Sequence, residues 1–270
     1  MKISILLPYK ENFSPSYPGA VSLFVKDTAA LSKYKKNIIV FGNTSLKKKF
    51  PIKYQNISLS NFRFKSKSKQ YVEKFILNEK ENPSDLIEVH NRPNYLSEIV
   101  NSLGKKNLVL YFHNDPLTMS GSKSITERKN LLKICYKIIF NSNWSKKRFL
   151  EGMQNKFVNS EKLLVVFQSA KKINIIPKNK RKEITFVGKL NKSKGYDIFG
   201  KAVLKILKKY PDWKANVAGD EQRDKIEFYH KNLRNYGFIS HKKVIDIYKK
   251  TSIAVVCSRW EEPFGRTSLE

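Results

Sequence analysis

Short runs of consecutive apolar residues alternate along this chain with longer amphipathic stretches. The runs "KISILLPY" (2–9), "NIIVFG" (37–42), "DLIEVHNRP" (85–93), "NLVLYFHND" (107–115), "KIIFNSN" (137–143) and "KLLVVFQS" (162–169) are too short for helices. Most are rich in Ile, Val and Leu without strict alternation, the pattern of parallel strands covered on both faces. A helix is predicted over about 20–32, and further helical stretches fall between several of the runs. Strand–helix–strand repetition of this kind predicts a doubly wound α/β layer.

The polar, basic segment "KKINIIPKNKRKE" (171–183) interrupts the alternation and reads as a linker. Beyond it the pattern restarts. Strand "ITFVGK" (184–189) leads to a helix over about 196–210, with Ile198, Ala202, Val203, Ile206 and Leu207 on one stripe. Strand "WKANVAG" (213–219), a charged helix over 221–235, a short extended "YGFI" (236–239), helix "HKKVIDIYKK" (241–250) and strand "SIAVVCS" (252–258) complete the reading. The expected organisation is a first α/β domain over 1–172, a linker over 173–183, and a partial second domain over 184–270.

Composition changes this picture in one respect. The 270 residues carry a formal charge of +30, a field that favours acidic partners. Of the 53 positive residues only nine are arginine, whereas readers of bases and phosphates lean on arginine's planar fork. Lysine spread through every segment fits a solvated surface first, and an anionic membrane or acidic partner second. A basic nucleic-acid-binding protein is the rival that charge alone supports. It lacks zinc-ligand spacing, RNP-like aromatics and a helix-turn-helix pattern. Cys135 and Cys257 lie far apart in apolar runs, which predicts buried reduced thiols and a cytoplasmic setting. No run approaches the length of a membrane span.

Candidate chemistry gathers at the carboxyl ends of the second domain's strands, where ligands bind in such folds. Gly188 and Lys189 close one strand, and Lys194-Gly195 precede a helix. Two lysines there can neutralise a diphosphate while helix-start N–H groups donate to its oxygens; the bland alternative is two surface lysines in a lysine-rich chain. Gly219 reads as turn chemistry. The stretch "EEPFGRTSLE" (261–270) sets Glu262 and Glu270 eight positions apart across a Pro-Phe-Gly turn. Thr267 to Glu270 fits a capping box, and Glu262 fits an exposed loop carboxylate. The functional alternative gives one carboxylate to sugar hydroxyls and the other to a ribose. In the first domain, His113 ends a strand beside Asn114 and Asp115, a polar site residue or a turn-forming histidine. His90 in "EVHN" is a weaker case.

Together "VGKLNKSKGYD", "VAGDE", "YGFISHKKVIDIYKKTSIAVVCSRWEEPFGRTSLE", "IEVHNRP" and "YFHND" resemble the retaining glycosyltransferases of family 4, in the right order over nearly the whole chain. Glu262 and Glu270 match that family's E-x7-E motif. The resemblance implies the GT-B fold, two Rossmann-like doubly wound domains facing a cleft, the second incomplete at its C-terminus. It implies a retaining transfer of a sugar from a nucleotide-sugar donor to a cell-envelope glycan or lipid-linked acceptor, with no metal and no other cofactor. Glu262 is then expected on the donor sugar and Glu270 on the ribose. Phe264 and Gly265 supply amides, and Lys189 and Lys194 hold the diphosphate. His113 faces the reacting sugar, and Gly19 in "YPGAVSLF" marks a loop near acceptor and phosphate. The basic stretch "NFRFKSKSKQYVEKF" (61–75) is a candidate for an anionic or membrane-bound acceptor, with peripheral contact to the inner membrane face.

The departures from the family are specific. Lys189 stands where arginine is usual, one glycine stands where two are common, and "VVFQSA" (165–170) replaces a Pro-Asn-Gly stretch. The family's chains also run on past the second glutamate, so a truncated non-catalytic remnant is a further expectation.

Overall fold

A computed structural model describes residues 1–60, 65–104, 107–154, 157, 160–170, 174, 176, 178, 180–221 and 225–270. They divide into two compact units, Met1–Gln168 and Ser169–Glu270.

The first unit is built on seven parallel strands: β1 (Ile3–Leu6), β2 (Ile38–Gly42), β3 (Tyr54–Asn56), β4 (Leu86–His90), β5 (Leu108–Phe112), β6 (Lys137–Phe140) and β7 (Leu163–Val165). Their order is β3-β2-β1-β4-β5-β6-β7. Register is set by pairs such as Ile5 with Val40 on one side and Glu88 on the other. Helices α1 (Ala20–Leu31), α2 (Lys67–Glu81), α3 (Leu96–Leu103), α4 (Ile125–Ile134) and α5 (Asn143–Leu150) connect them. The pleat explains why the strands read as unbroken apolar runs. Leu108, Leu110 and Phe112 enter one core with Phe75, Leu96 and Phe149, while Tyr111 points to the other with Phe24, Val25 and Val40. Each face needs its own apolar set, so alternation disappears.

The second unit holds β8 (Arg181–Val187), β9 (Lys214–Ala218), β10 (Leu233–Asn235) and β11 (Thr251–Val255) in the parallel order β10-β9-β8-β11, with α6 (Tyr196–Lys209) and α7 (His241–Tyr248). Its core joins Ile184, Phe186, Tyr196, Phe199, Val203, Leu207 and Val217.

Several expectations are corrected. The helix expected over 221–235 is not there: 225–232 carry no regular element and 233–235 form β10, while 222–224 lie outside the described residues. The extended segment expected at 236–239 lies just past that strand. The inward stripe of α6 is Tyr196, Phe199, Val203 and Leu207; Ile198 is exposed. Two aromatics at i and i+3 bring more area to bury than Ile198 and Ala202, and they rotate the stripe. Strand β3 escaped the reading because "YQN" carries no apolar run. Of the basic stretch 61–75, residues 61–64 lie outside the described residues. From Lys67 onward it is α2, whose Gln70, Tyr71, Val72 and Phe75 are buried. Strand β8 takes in Arg181–Glu183 from the segment read as linker, of which 171–173, 175, 177 and 179 lie outside the described residues. Cys135 is a buried free thiol, but Cys257 is only half-buried. Among the described residues, no helix is long and apolar enough to cross a membrane.

Candidate functional site

In the second unit the chain runs β8, β9, β10 to one side and returns to place β11 on the other side of β8. The strand order therefore reverses between β8 and β11, and a crevice opens beyond their carboxyl ends. It is lined by Gly188, Lys194, Ser258, Glu262 and Thr267.

Lys194 reaches this crevice because the turn before α6 is tightly bound. The N–H of Lys194 donates to Asn191 Oδ1 at 3.0 Å. Gly195 then takes a left-handed conformation (φ 73°), where a Cβ would overlap the carbonyl oxygen of Cys257. From the β11 side, Arg259 fastens the loop to the start of α6. Its backbone N–H donates to Ser193 O at 2.9 Å, and its guanidinium grips Asp197 through two bonds of 2.8 Å.

At the centre, the Lys194 ammonium is paired with Glu262 Oε1, and Ser258 Oγ donates to the same oxygen. The ammonium also lies 5.5 Å from the centroid of the Trp260 ring. Burial works against ionisation of Glu262, but the hydrogen bonds from Lys194 and Ser258 and the lysine's charge outweigh it and hold the carboxyl below its ordinary range. Glu262 is thus a preformed carboxylate beside a cation. Gly265 is left-handed as well (φ 75°), and a Cβ there would stand 3.3 Å from Glu262 Oε2. Among the described residues, the amides of Phe264 and Gly265 and the exposed ammonium of Lys189 make no hydrogen bond or ion pair. They remain available as donors.

Glu270 is placed otherwise. The capping box over Thr267–Glu270 does not form; Gly265 caps a single 3-10 turn at Arg266–Ser268 without a side-chain bond. Glu270 Oε1 instead faces His241 Nε2 at 2.9 Å and accepts from Arg266 Nε at 2.7 Å. Burial raises its pKa, and these two partners more than offset that.

In the first unit, His113 is buried with both ring nitrogens engaged. Gln168 Nε2 lies 2.9 Å from Nδ1, and His90 Nδ1 lies 2.8 Å from Nε2. With the amide donating to Nδ1, the ring proton of His113 sits on Nε2 and is donated in a hydrogen bond to His90 Nδ1, so the His90 ring proton is on its own Nε2. Burial, reinforced by His90, pushes His113 well below the ordinary histidine value. Neutral His113 therefore presents main-chain and ring-edge groups, with no free ring nitrogen. Asn91 holds the same corner: buried and left-handed (φ 55°), it accepts the N–H of His113 at 2.9 Å and of Asn114 at 3.2 Å. Gly19 is the N-cap of α1, in extended conformation.

Ser258, Arg259, Trp260 and Gln168 were missed by sequence reasoning. The first three lie inside the quoted "CSRWEEPFG", and their adjacency to Glu262 was the available signal. Gln168 carried none.

Residues 168–270 match the family model described as "Glycosyl transferases group 1". No curated protein matches the chain in sequence. Among solved structures, Anabaena Alr3699/HepE in complex with UDP-glucose superimposes with a TM-score of 0.72 at 17% identity, over 99% of this chain and 77% of that one. The fold is GT-B. The sucrose-phosphate synthase of Thermosynechococcus elongatus shares this GT-B likeness (TM-score 0.68, 12% identity, 98% and 77% covered). So does the lipopolysaccharide outer core galactosyltransferase WaaB in its apo form (TM-score 0.61, 17% identity, 100% and 77% covered). At these identities the likeness speaks for fold alone.

Proposed function

We propose that the chain is a glycosyltransferase that moves a sugar from a nucleotide-sugar donor to a cell-envelope glycan or lipid-linked acceptor, with retention at the anomeric carbon. The observation that carries the reading is the Lys194–Glu262–Ser258 cluster at the switch point of the second unit, inside the stretch matched by the glycosyltransferase model. Two solved relatives of the same fold are described with UDP-glucose and as a galactosyltransferase, which supports the donor class.

The proposed division of work follows from charge. Lys189 and Lys194 take the donor diphosphate, whose leaving oxygen gains negative charge as the glycosidic bond breaks. Donor binding draws Lys194 from Glu262 onto phosphate and frees Glu262 Oε1 for sugar hydroxyls. The amides of Phe264 and Gly265 complete the cradle. Glu270 meets the ribose through Oε2, since both of its bonds fall on Oε1. His113 and Gly19 lie on the acceptor side. Cationic side chains supply the charge that a metal brings elsewhere, so no metal is required by this scheme.

Calorimetric titration with UDP-, GDP- and ADP-glucose tests it. One of them should bind, and Lys194→Ala should weaken that binding by about tenfold or more, the loss of one charge-assisted contact. An unchanged affinity in Lys194→Ala, or binding of none of the three, would count against the assignment.

A further inference from the structure

The first unit has a switch point of its own, between β1 and β4. The segments that leave these two strands bring Glu11 and Arg92 to it. Glu11 lies in the loop after β1, its N–H bonded to Pro8 O at 2.8 Å. Its carboxylate folds onto the start of α1: the N–H of Ser22 donates to Oε1 at 2.9 Å, and the group packs so closely on Gly19 that a Cβ there would overlap it. Ser22 is the hydrogen-bonding partner of this carboxylate among the described residues, which leaves acceptor capacity on its second oxygen.

The surroundings mark the corner as more than a helix cap. Asn91, between His90 and Arg92, holds a backbone conformation that non-glycine residues seldom adopt, and such outliers gather at functional sites. His90 is 1% exposed, yet its Nε2 has no hydrogen-bond partner, and Glu88 Oε1 stands 3.6 Å away. Burial holds the Glu11 pKa above its ordinary value, and the hydrogen bonds from Ser22 and the charges of Arg92 and His90 offset only part of that rise. A carboxyl, a guanidinium and an imidazole pair therefore bear on one another here, beside the glycine turn at Gly19.

We propose that Glu11, with Arg92 beside it, is the residue that receives the acceptor sugar's hydroxyl; this rests on the reading of the chain as a glycosyltransferase. Charge selects the ligand class. The amino end of a helix attracts anions, but here the position is already taken by the chain's own carboxylate, which repels a phosphate. A neutral polyol meets no such repulsion. Its hydroxyl donates to the carboxylate, and Arg92 donates to a neighbouring sugar oxygen. Gly19 is then required because a side chain would displace Glu11, and the turn belongs to the acceptor more than to phosphate.

The decisive variant is Glu11→Gln. It keeps an oxygen for the Ser22 N–H, so a purely structural cap survives, but it loses the charge and one acceptor. Transfer is measured with the nucleotide-sugar that the wild type binds and with octyl glucoside, galactoside, mannoside and N-acetylglucosaminide as acceptors. Expected is a loss of about tenfold or more in kcat/KM for the acceptor, with donor affinity unchanged within about twofold. Glu11→Asp, which keeps the charge at shorter reach, should fall between. Equal acceptor kinetics in wild type and Glu11→Gln overturn the inference, and so does a parallel loss of donor affinity. A wild type that binds donor but glycosylates none of the four also overturns it, leaving the donor reading intact. A wild type that binds no nucleotide-sugar removes both.

Discussion

His113 couples the site corner of the first unit to stability through a proton. Burial holds its folded-state pKa well below the ordinary 6.5. The unfolded chain then takes up a proton that the folded chain refuses, so stability falls as pH drops below about 6.5. The slope approaches about 1.4 kcal/mol per pH unit for one proton. Glu262 and Glu270, both held low, act in a separate window. Their stabilisation is complete above the unfolded carboxyl value near 4.5 and is lost only as pH falls through their folded values. Melting curves between pH 7.5 and 5 should therefore show a decline that His113→Gln abolishes; an equal decline in that variant would place the proton elsewhere. The candidate site residues of each unit were unevenly legible in the sequence. His113 was visible as a polar residue closing an apolar run, whereas Gln168, which fixes its tautomer, comes from a segment 55 positions away whose pattern says nothing of pairing. Glu262 was visible from its spacing to Glu270. Its partnership with Lys194 spans 68 positions, and only the return of β11 beside β8 creates it.

At the scale of elements, the same four-residue signal had two outcomes. Ser124-Ile125-Thr126-Glu127 forms a complete capping box at α4: Ser124 Oγ accepts the Glu127 N–H at 3.1 Å, and Glu127 Oε2 accepts the Ser124 N–H at 2.8 Å. Thr267–Glu270 has the same pattern and forms none, because Glu270 is committed to His241 and Arg266. A cap pattern reports a helix only when tertiary partners do not outbid it. Ser124→Ala should cost about 1 kcal/mol, seen as a lower urea midpoint with an unchanged slope; a loss near zero would show that Glu127 alone holds the turn. The unbroken apolar runs were the most legible elements, since burial on both sheet faces leaves a strong mark. The charged stretch at 221–235 misled because lysines and glutamates favour a helix locally. Here the chain instead pairs Leu233 with Ala215 and sends Phe228 against Tyr196.

Across the whole molecule, the sheets of the two units differ in how fully they are covered. β5, inside the first sheet, is buried at every position, while its neighbours are buried at three of five positions in β4 and two of four in β6. β11, predicted as a strand from its apolar run, stands at the end of the second sheet's order among the described residues, with Ile253 46% exposed and Val256, just beyond it, 50% exposed. An apolar parallel edge presents unpaired backbone groups and apolar side chains together, the combination that recruits other strands. The formal charge of +30 opposes that recruitment through long-range repulsion, but salt screens it: the Debye length falls from about 10 Å at 0.1 M to about 3 Å at 1 M. Self-association should therefore grow with ionic strength, the reverse of what contacts between opposite charges would do. Ile253→Lys places a charge on the edge where little packing is lost, so stability should change by no more than about 0.5 kcal/mol. Light scattering of wild type and variant from 0.1 to 1 M salt separates the contributions. A rise in the wild type that Ile253→Lys suppresses locates the attraction on β11, whereas an equal rise in both proteins would assign it to another surface.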